Sequence, residues 1–196
     1  MEAPHFWAAN ARFVDENDAE LLSGIDNPSI SLITAGTSLY RAGHRFYFDK
    51  AEKTFHPTRQ DSVFASPWWA TCDDFNRVTW AAACDPHEQA ESARAAFAVH
   101  PGWGGDCSMF ASIVTTVDLT VWFGLGKSVI APELFSGQLS IAFASEEILQ
   151  IYIPGFREHA PQWSDRRQVI SMGDTWGNGI GHQGNLPHDI NNAERS

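Results

Sequence analysis

Apolar runs of strand length fill the second half of this 196-residue sequence, and they limit its possible folds more than any other feature. Five such runs are Met109–Thr116, Leu119–Phe123, Leu139–Phe143, Ile148–Ile153 and Gln168–Met172. Helical patterns lie mostly in the first half. Because helices and strands are segregated instead of alternating, the sequence predicts an α+β fold with two packed, largely antiparallel sheets.

Three helices are predicted in the first half. Thr71 and Asp74 stand at the spacing of a capping box, in which the first hydroxyl and the later carboxylate satisfy the first N–H groups of a helix. An alanine-rich helix is expected over His87–Phe97, and a short one over Asp15–Gly24, which is acidic at its start.

Two strands are predicted between these helices. The longer one covers Ser29–Tyr40 and continues to Gly43, and the shorter covers Ser62–Ala65. Residues 44–61 are polar and aromatic without a clean period, so they are interpreted as a loop. Pro67 then ends the second strand, because proline lacks the N–H that a central strand needs.

The length suits a single domain, predicted over residues 1–186, with a disordered tail at 187–196. The beginning of the chain lacks the basic and apolar regions of a signal peptide. No apolar run approaches the length of a membrane span. We therefore expect no membrane partner, and a protein that is cytoplasmic or exported as an effector without a cleaved signal.

The formal charge of −11 bears on partners and cofactors. It opposes binding to nucleic acid, since phosphate contacts need net positive charge. The three cysteines, Cys72, Cys84 and Cys107, lack the spacing of a zinc site, so no metal is expected. One cleft can still be basic, because net charge describes only the whole molecule.

Two places in the first half suit a ligand. Arg41 ends a strand, where a rigid backbone can present its planar guanidinium to a phosphate or carboxylate. Ser66 precedes Trp68 and Trp69, and one of these indoles can pack in the core while the other stacks on a flat ring. Packing alone would explain both tryptophans equally well.

Two further places suit catalysis. Glu146 and Glu147 open an apolar strand, and a carboxylate beside a cationic sugar is what glycosyl transfer needs. Cys107 follows a glycine turn and would be a nucleophile if a histidine approached it, for which His100, His159, His182 and His188 are candidates. A cysteine hydrolase using Cys107 with a C-terminal histidine is therefore an alternative, as is a non-catalytic interaction module.

Taken in order, the segments LYRAG, FASPWW and SEEILQIYIPG resemble the Arg–Ser–Glu layout of the ADP-ribosyltransferase-like superfamily, over about residues 30–155. That superfamily includes bacterial toxins and the RES-domain toxins that degrade NAD. The resemblance implies a cleft between the sheets with NAD as substrate. It also implies a toxin or effector role, an ADP-ribose acceptor and an immunity protein as partner.

The resemblance assigns roles to the matching residues. Arg41, preceded by Tyr40, would hold the diphosphate or a ribose, and Ser66 would support the glutamate and the nicotinamide ribose. Trp68 or Trp69 would stack near nicotinamide. The catalytic position falls on Glu147, or on Glu146 if the strand register shifts by one.

Two departures from the superfamily's pattern affect what the resemblance implies. Ser66 stands alone between Ala65 and Pro67, where the superfamily has a Ser-Thr-Ser-like motif. Ser145 takes the place of the acceptor-orienting residue two positions before Glu147. Hydrolysis of NAD and transfer to an acceptor other than arginine therefore both stay open.

Overall fold

A computed structural model of the chain describes residues 7–81, 86–103, 105, 107–133, 135–145 and 147–171. These residues contain five α-helices: α1 (Ala19–Gly24), α2 (Gln60–Phe64), α3 (Cys72–Ala81), α4 (Pro86–Ala96) and α5 (Phe156–Trp163). They also contain eleven strands: β1 (Ile25–Ile33), β2 (Ser38–Gly43), β3 (Phe46–Asp49), β4 (Thr54–Pro57), β5 (Trp68–Trp69), β6 (Met109–Thr115), β7 (Leu119–Gly126), β8 (Val129–Pro132), β9 (Leu139–Ala142), β10 (Leu149–Tyr152) and β11 (Ser164–Ser171).

The strands form two larger sheets and two hairpin ribbons. One sheet has the order β1-β7-β10-β5, and the other has the order β11-β6-β2. The ribbons are β3-β4 and β8-β9. All these pairings are antiparallel, and four of the five described helices lie before residue 97. The predicted α+β class is confirmed.

One large core joins the two sheets. Leu39 of β2 and Ile113 of β6 share a buried cluster with Val121 of β7 and Ile151 of β10. Trp163 at the end of α5 covers the same cluster. The sheets therefore pack against each other, and burial of their apolar faces stabilises this arrangement.

The predicted long strand at 29–43 is wrong, because the chain turns between two strands of different sheets. Gly36 has φ +92°, a left-handed conformation that favours glycine, and it reverses the chain after β1. The N–H of Ala35 donates to Oδ1 of Asp118 at 2.8 Å and holds this turn. Strand β1 also begins earlier than expected, and a bulge between Asp26 and Ser29 accommodates Asn27 and the following proline.

Two further expectations between residues 44 and 66 are corrected. The predicted loop at 44–61 contains the β3-β4 hairpin. The predicted strand at 62–65 is instead part of helix α2, where Val63 and Phe64 are both buried. Such a short apolar run does not distinguish a strand from a buried helix, and periodicity decides only longer segments.

The alanine-rich helix is confirmed, and half of the predicted capping box is seen: the Thr71 hydroxyl accepts a helix N–H, while the Asp74 carboxylate accepts the Thr71 hydroxyl and no described backbone N–H. Oγ1 of Thr71 donates to Oδ2 of Asp74 at 2.7 Å, and the Asp74 N–H donates back to Oγ1 at 3.2 Å. Helix α4 matches the predicted second helix within a residue at each end. Helix α5 was not predicted, because Pro154 and Gly155 precede it and Pro161 lies inside it.

None of the helices in the described residues is both long and apolar enough to cross a membrane. The predicted tail at 187–196 and the C-terminal part of the predicted domain lie outside the described residues. The domain boundary therefore stays a prediction.

Candidate functional site

The two larger sheets meet at β2 and β5, and a cleft opens at this junction. Tyr40 of β2 and Ala70, directly after β5, exchange backbone hydrogen bonds of 3.0 and 2.8 Å. Strand β5 pairs in turn with β10. The cleft has a volume of about 440 Å³, within the range of roughly 300–1,000 Å³ that is typical of small-molecule sites.

The cleft collects side chains from distant parts of the sequence. Its lining comprises Glu20, Ser23, Gly24, Tyr40, Arg41, Ala42, His44, Trp68, Trp69, Phe97, Ala98, Val99, Trp103, Lys127, Val129 and Gln150. Four site residues proposed from the sequence, Tyr40, Arg41, Trp68 and Trp69, are therefore brought together.

Arg41 is half-buried, and protein acceptors fix its guanidinium. Nε donates to the carbonyl of Ala42 at 3.2 Å, and Nη1 donates to the carbonyl of Val63 at 3.1 Å. Its Cζ lies 5.8 Å from the ring centroid of Trp69. Burial lowers the pKa of Arg41 to about 10, since desolvation disfavours the charged form. The side chain is still cationic at neutral pH, and two of its five N–H donors are used by these bonds.

The two tryptophans point to opposite sides of β5, as alternation in a strand requires. Trp69 is only 2% exposed and belongs to the large core, and its Nε1 donates to the carbonyl of Ser66 at 2.7 Å. Trp68 is half-buried, and its ring lies 4.8 Å from that of Tyr152. Trp68 therefore offers more of its surface to a ligand.

Ser66 lies between α2 and β5 and is not a lining residue of the cleft. Its Oγ accepts the backbone N–H of Trp68 at 3.2 Å, and its carbonyl accepts the indole N–H of Trp69. Both bonds are made to the tryptophans, so Ser66 helps to position Trp68 and Trp69 without lining the cleft itself.

The predicted catalytic glutamates are not seen in the cleft lining. Glu146 lies outside the described residues, and Glu147 is exposed, with its N–H donating to Oγ of Ser145 at 3.2 Å. Gln150, three residues further on, is 7% exposed and lines the cleft. A Cβ at position 126 would overlap its amide, so Gly126 makes room for the side chain. The β10 side chain that lines the cleft is therefore the amide of Gln150.

Glu20 is the carboxylate that lines the cleft among the described residues. It lies in the first turn of α1, whose N-cap Asp18 accepts the backbone N–H of Glu20 at 2.8 Å. Oε1 of Glu20 accepts the indole N–H of Trp68 at 3.1 Å and pairs with Nη2 of Arg157 at 2.9 Å. Its side chain is 42% exposed, so a ligand can reach it.

Lys127 adds a second cation to the lining. Its backbone N–H donates to the carbonyl of Gly24 at 2.8 Å, and its Nζ donates to the carbonyl of Leu22 at 2.7 Å. Arg41 and Lys127 together outnumber the single described carboxylate, Glu20. The cleft is therefore locally basic although the whole chain is acidic.

Cys107 is fully buried and is not a lining residue of the cleft. Its backbone N–H donates to Nδ1 of His44 at 3.0 Å. Of the histidines proposed as its partner, His182 and His188 lie outside the described residues, His100 contacts Ser140 and Gly102, and His159 stacks on Trp163. A buried thiol has no access to a peptide substrate unless the surrounding loop opens, so the structure does not favour the cysteine-hydrolase alternative.

Sequence reasoning missed Glu20, Lys127 and Gln150. Asp18 followed by Glu20 is an N-terminal helix signal, but it says nothing about which cleft the helix faces. Gln150 is a polar residue within the apolar run 148–153. A polar residue in a strand of this kind is the sequence signal that could have indicated it, because a buried amide needs a hydrogen-bond partner. All three positions depend on long-range packing.

No family model matches this chain. No curated protein matches it either. A solved structure described as Rhs1-CT in complex with cognate immunity protein RhsI1 is similar, with a TM-score of 0.45 and 12% identity, and the match covers 81% of this chain and 98% of that chain. A likeness of this degree carries no argument about function.

Proposed function

We propose that the cleft binds NAD and that the protein cleaves the bond between nicotinamide and ribose, passing ADP-ribose to water or to an acceptor. The observation that carries the proposal is the convergence of Arg41, Trp68 and Glu20, which come from three separate elements, on one cleft. A cation for the diphosphate, an aromatic plane and a carboxylate are the groups that this reaction needs.

The two cations suit a diphosphate. The guanidinium of Arg41 is planar and fixed, which favours two-pronged contact with phosphate oxygens. Its partial desolvation strengthens the attraction to an anion, because water screens the charges less. Nζ of Lys127 uses one donor on the carbonyl of Leu22, and an ammonium group has three.

Trp68 supplies the surface for a planar ring. Its indole is held at one edge by the bond to Glu20, and Tyr152 packs close to it. Stacking of a nucleobase on an aromatic side chain contributes about 1–3 kcal/mol. The nicotinamide ring carries positive charge in NAD, so an electron-rich indole face also attracts it electrostatically.

Glu20 suits the positive charge that develops on the ribose during cleavage. When the C1′–N1 bond breaks, its electron pair goes to the ring nitrogen, and nicotinamide leaves as a neutral molecule. The ribose becomes an oxocarbenium ion, which a nearby carboxylate stabilises. Water or an acceptor then bonds to C1′ and releases a proton. Both described bonds of Glu20 end on Oε1, which leaves Oε2 for the ribose.

The acceptor and the biological setting remain parts of this proposal. Ser145, two residues before Glu147, stands where the superfamily often has an acceptor-orienting Glu or Gln, and the described lining shows no second carboxylate. Hydrolysis by water is therefore the simpler form of the reaction. A toxin or effector role with an immunity partner follows from the sequence resemblance alone.

The direct test is release of nicotinamide from NAD by the full chain. We expect wild-type protein to release it and Arg41→Met to reduce the rate at least ~100-fold, the usual effect of removing a group that stabilises charge. Arg167→Met, at an exposed position on β11, is the matched control and should match wild type.

A binding measurement distinguishes recognition of NAD from its cleavage. A carbocyclic NAD analogue, which cannot be cleaved, should bind to wild-type protein and more weakly to Arg41→Met. If wild-type protein neither releases nicotinamide nor binds the analogue, the proposal is wrong. Binding without release would limit the cleft to NAD recognition and remove the enzymatic claim.

A further inference from the structure

Gln150 carries a buried amide that lacks a protein partner. The residue is only 7% exposed. Within the residues that the structure describes, no group hydrogen-bonds to its side chain, although an amide offers two N–H donors and a carbonyl acceptor. Buried polar side chains are nearly always hydrogen-bonded in folded proteins. Because Gln150 lines the cleft, a molecule that enters the cleft can supply the missing partners.

The register of β10 fixes the Gln150 side chain in the cleft wall. Ile151 points to the opposite face of the sheet and is buried in the large core. A shift of one residue would therefore take Ile151 out of the core and Gln150 out of the cleft. Gly126 on the neighbouring strand lies against the amide, and a Cβ there would overlap it. The amide therefore has a definite place in the wall.

Gln150 lies beside Trp68 on one face of the sheet. Tyr152 is directly opposite Trp68 in the pairing of β10 with β5. Gln150 precedes Tyr152 by two residues, so all three side chains are on the same face. Gln150 and Trp68 are therefore diagonal neighbours, which lie roughly 7–8 Å apart and within reach of long and aromatic side chains. A flat ring stacked on Trp68 can thus present a substituent to the Gln150 amide.

An amide side chain matches a group that has a donor and an acceptor side by side. The carboxamide of nicotinamide has both, at one edge of a flat ring. This inference rests on the proposed function, in which the ring on Trp68 is nicotinamide and the adjacent Glu20 stabilises the ribose that loses it. We propose that Gln150 recognises this carboxamide through two hydrogen bonds. Oε1 accepts from the carboxamide NH2, and Nε2 donates to its carbonyl.

Two other parts of NAD suit the Gln150 amide less well. The diphosphate offers acceptors only, so it would leave Oε1 facing negative charge, and Arg41 and Lys127 are better partners for it. Adenine does carry a donor beside an acceptor, and glutamine pairs with adenine in nucleic-acid complexes. Adenine, however, lies across the diphosphate from the ribose on which Glu20 is proposed to act. The carboxamide is therefore the partner that agrees with the positions of both Glu20 and Trp68.

The two hydrogen bonds would make Gln150 a specificity-determining residue. Acetylpyridine adenine dinucleotide keeps the ring carbonyl of NAD but has a methyl group in place of the NH2. Oε1 of Gln150 would then be buried without a donor, and a site with such unpaired groups rejects the ligand that leaves them unpaired. Leucine at position 150 is similar in size and has no polar group, so it should not distinguish the two dinucleotides.

The experiment measures kcat/KM for release of the pyridine base from NAD and from this analogue, in wild-type protein and in Gln150→Leu. Comparing the two proteins cancels the difference in intrinsic reactivity between the dinucleotides. We expect the preference for NAD to fall at least ~30-fold in Gln150→Leu. Gln138→Leu, the same change at an exposed glutamine outside the cleft lining, is the control and should keep the wild-type preference.

Two further measurements identify the group that Gln150 contacts. Nicotinamide hypoxanthine dinucleotide differs from NAD only in the purine, so the preference for NAD over it should be the same in wild type and Gln150→Leu. In wild-type protein, the side-chain amide signal of Gln150 in a nitrogen–proton correlation spectrum should shift on addition of free nicotinamide and should shift less with acetylpyridine. This second measurement needs no variant, so it decides the question even if Gln150→Leu does not fold.

The inference is overturned if Gln150→Leu prefers NAD over the acetylpyridine analogue as strongly as wild type does. It is also overturned if the amide signal does not respond to nicotinamide, or if Gln150→Leu instead changes the preference against hypoxanthine, which would assign the amide to adenine. In each of these cases wild-type protein still cleaves NAD, so the proposed function stands. Wild-type protein that neither releases nicotinamide nor binds the uncleavable analogue would overturn the proposed function and this inference together.

Discussion

The indole N–H of Trp68 donates a 3.1 Å hydrogen bond to the carboxylate of Glu20, which precedes it by 48 residues. The bond joins β5 to α1, and both side chains line the cleft. It holds an aromatic plane and a carboxylate in one fixed arrangement, with Arg157 as the second partner of that carboxylate. Fixed charges stabilise a transition state better than mobile ones, since they need no reorganisation.

Glu20→Gln should abolish most NAD cleavage and preserve binding of the uncleavable analogue. Glutamine keeps the shape and an acceptor for Trp68 but removes the negative charge that stabilises the oxocarbenium ion. We expect the rate of nicotinamide release to fall by about 10²–10³. The measurement is steady-state release together with analogue affinity by calorimetry.

The same assay compares the glutamates that the sequence resemblance favours. Glu146→Gln and Glu147→Gln are tested beside Glu20→Gln, and Glu16→Gln, at an exposed position near α1, is the control. If Glu147→Gln loses activity and Glu20→Gln retains it, the assignment to Glu20 fails and the resemblance names the catalytic residue.

Arg41→Met should cost little stability even though it removes activity. Desolvation lowers the pKa of Arg41 to about 10, so the folded state holds a cation in an unfavourable environment at neutral pH. Methionine removes this cost of desolvating the cation, which offsets the loss of the bonds to the carbonyls of Ala42 and Val63. We expect the free energy of unfolding in urea to stay within ~1 kcal/mol of wild type or to rise. A loss above ~3 kcal/mol would give Arg41 a structural role.

Local patterns predicted part of this molecule well. The helix start at Thr71 and the five predicted second-half strands depend on side chains close in sequence, and all are found, although β11 begins at Ser164 instead of residue 168 and β8 was not predicted. Arg41 and the tryptophan pair line one cleft, as the resemblance implied, although the strand predicted before the tryptophans is a helix. The helix start and the strands needed no knowledge of how distant segments pack, whereas the shared cleft depends on that packing.

The features that were not predicted depend on long-range packing. Residues 29–43 form two strands because Gly36 turns the chain between sheets, and apolar alternation continues on both sides of that turn. Glu20 enters the cleft because α1 packs beside Trp68, and nothing near Glu20 in sequence specifies that contact. Register on β10 likewise places Gln150 in the cleft.

Tyr40→Phe should reduce the loss of stability at high pH. Burial raises the pKa of Tyr40 to about 12, against about 10 in the unfolded chain. The neutral phenol is favoured by folding, so its contribution is fully present below pH 10 and is lost as pH rises towards 12. Wild type should therefore lose about 1.4 kcal/mol per pH unit more than Tyr40→Phe in that window.

The measurement is urea unfolding at pH 8, 10 and 11. Tyr47→Phe is the matched control, because Tyr47 is 42% exposed and its surroundings change less on folding. Its pH dependence should follow that of wild type. Equal slopes for wild type and Tyr40→Phe would show that Tyr40 is not the buried group that titrates.

Asn10→Ala should lower the free energy of unfolding by about 2–3 kcal/mol, since it leaves buried backbone groups without partners. Asn10 is fully buried, accepts the N–H of Thr120 at 2.8 Å, and donates to the carbonyls of Thr120 at 2.7 Å and Pro154 at 3.2 Å. The midpoint of urea unfolding should fall at an unchanged slope. Asn17→Ala, whose bonds lie at an exposed turn, should change the midpoint little.

Gly24→Ala should weaken binding of the uncleavable NAD analogue about tenfold, or ~1.4 kcal/mol. A Cβ at position 24 would overlap the outer edge of the Trp68 indole, and Tyr152 packs close to the same ring. The indole must therefore shift, and the stacking plane with its bond to Glu20 is displaced. Leu22→Ala, on the same helix and 41% exposed, is the control and should bind as wild type. Unchanged affinity in Gly24→Ala, with the fold intact by circular dichroism, would mean that Trp68 does not form the stacking surface.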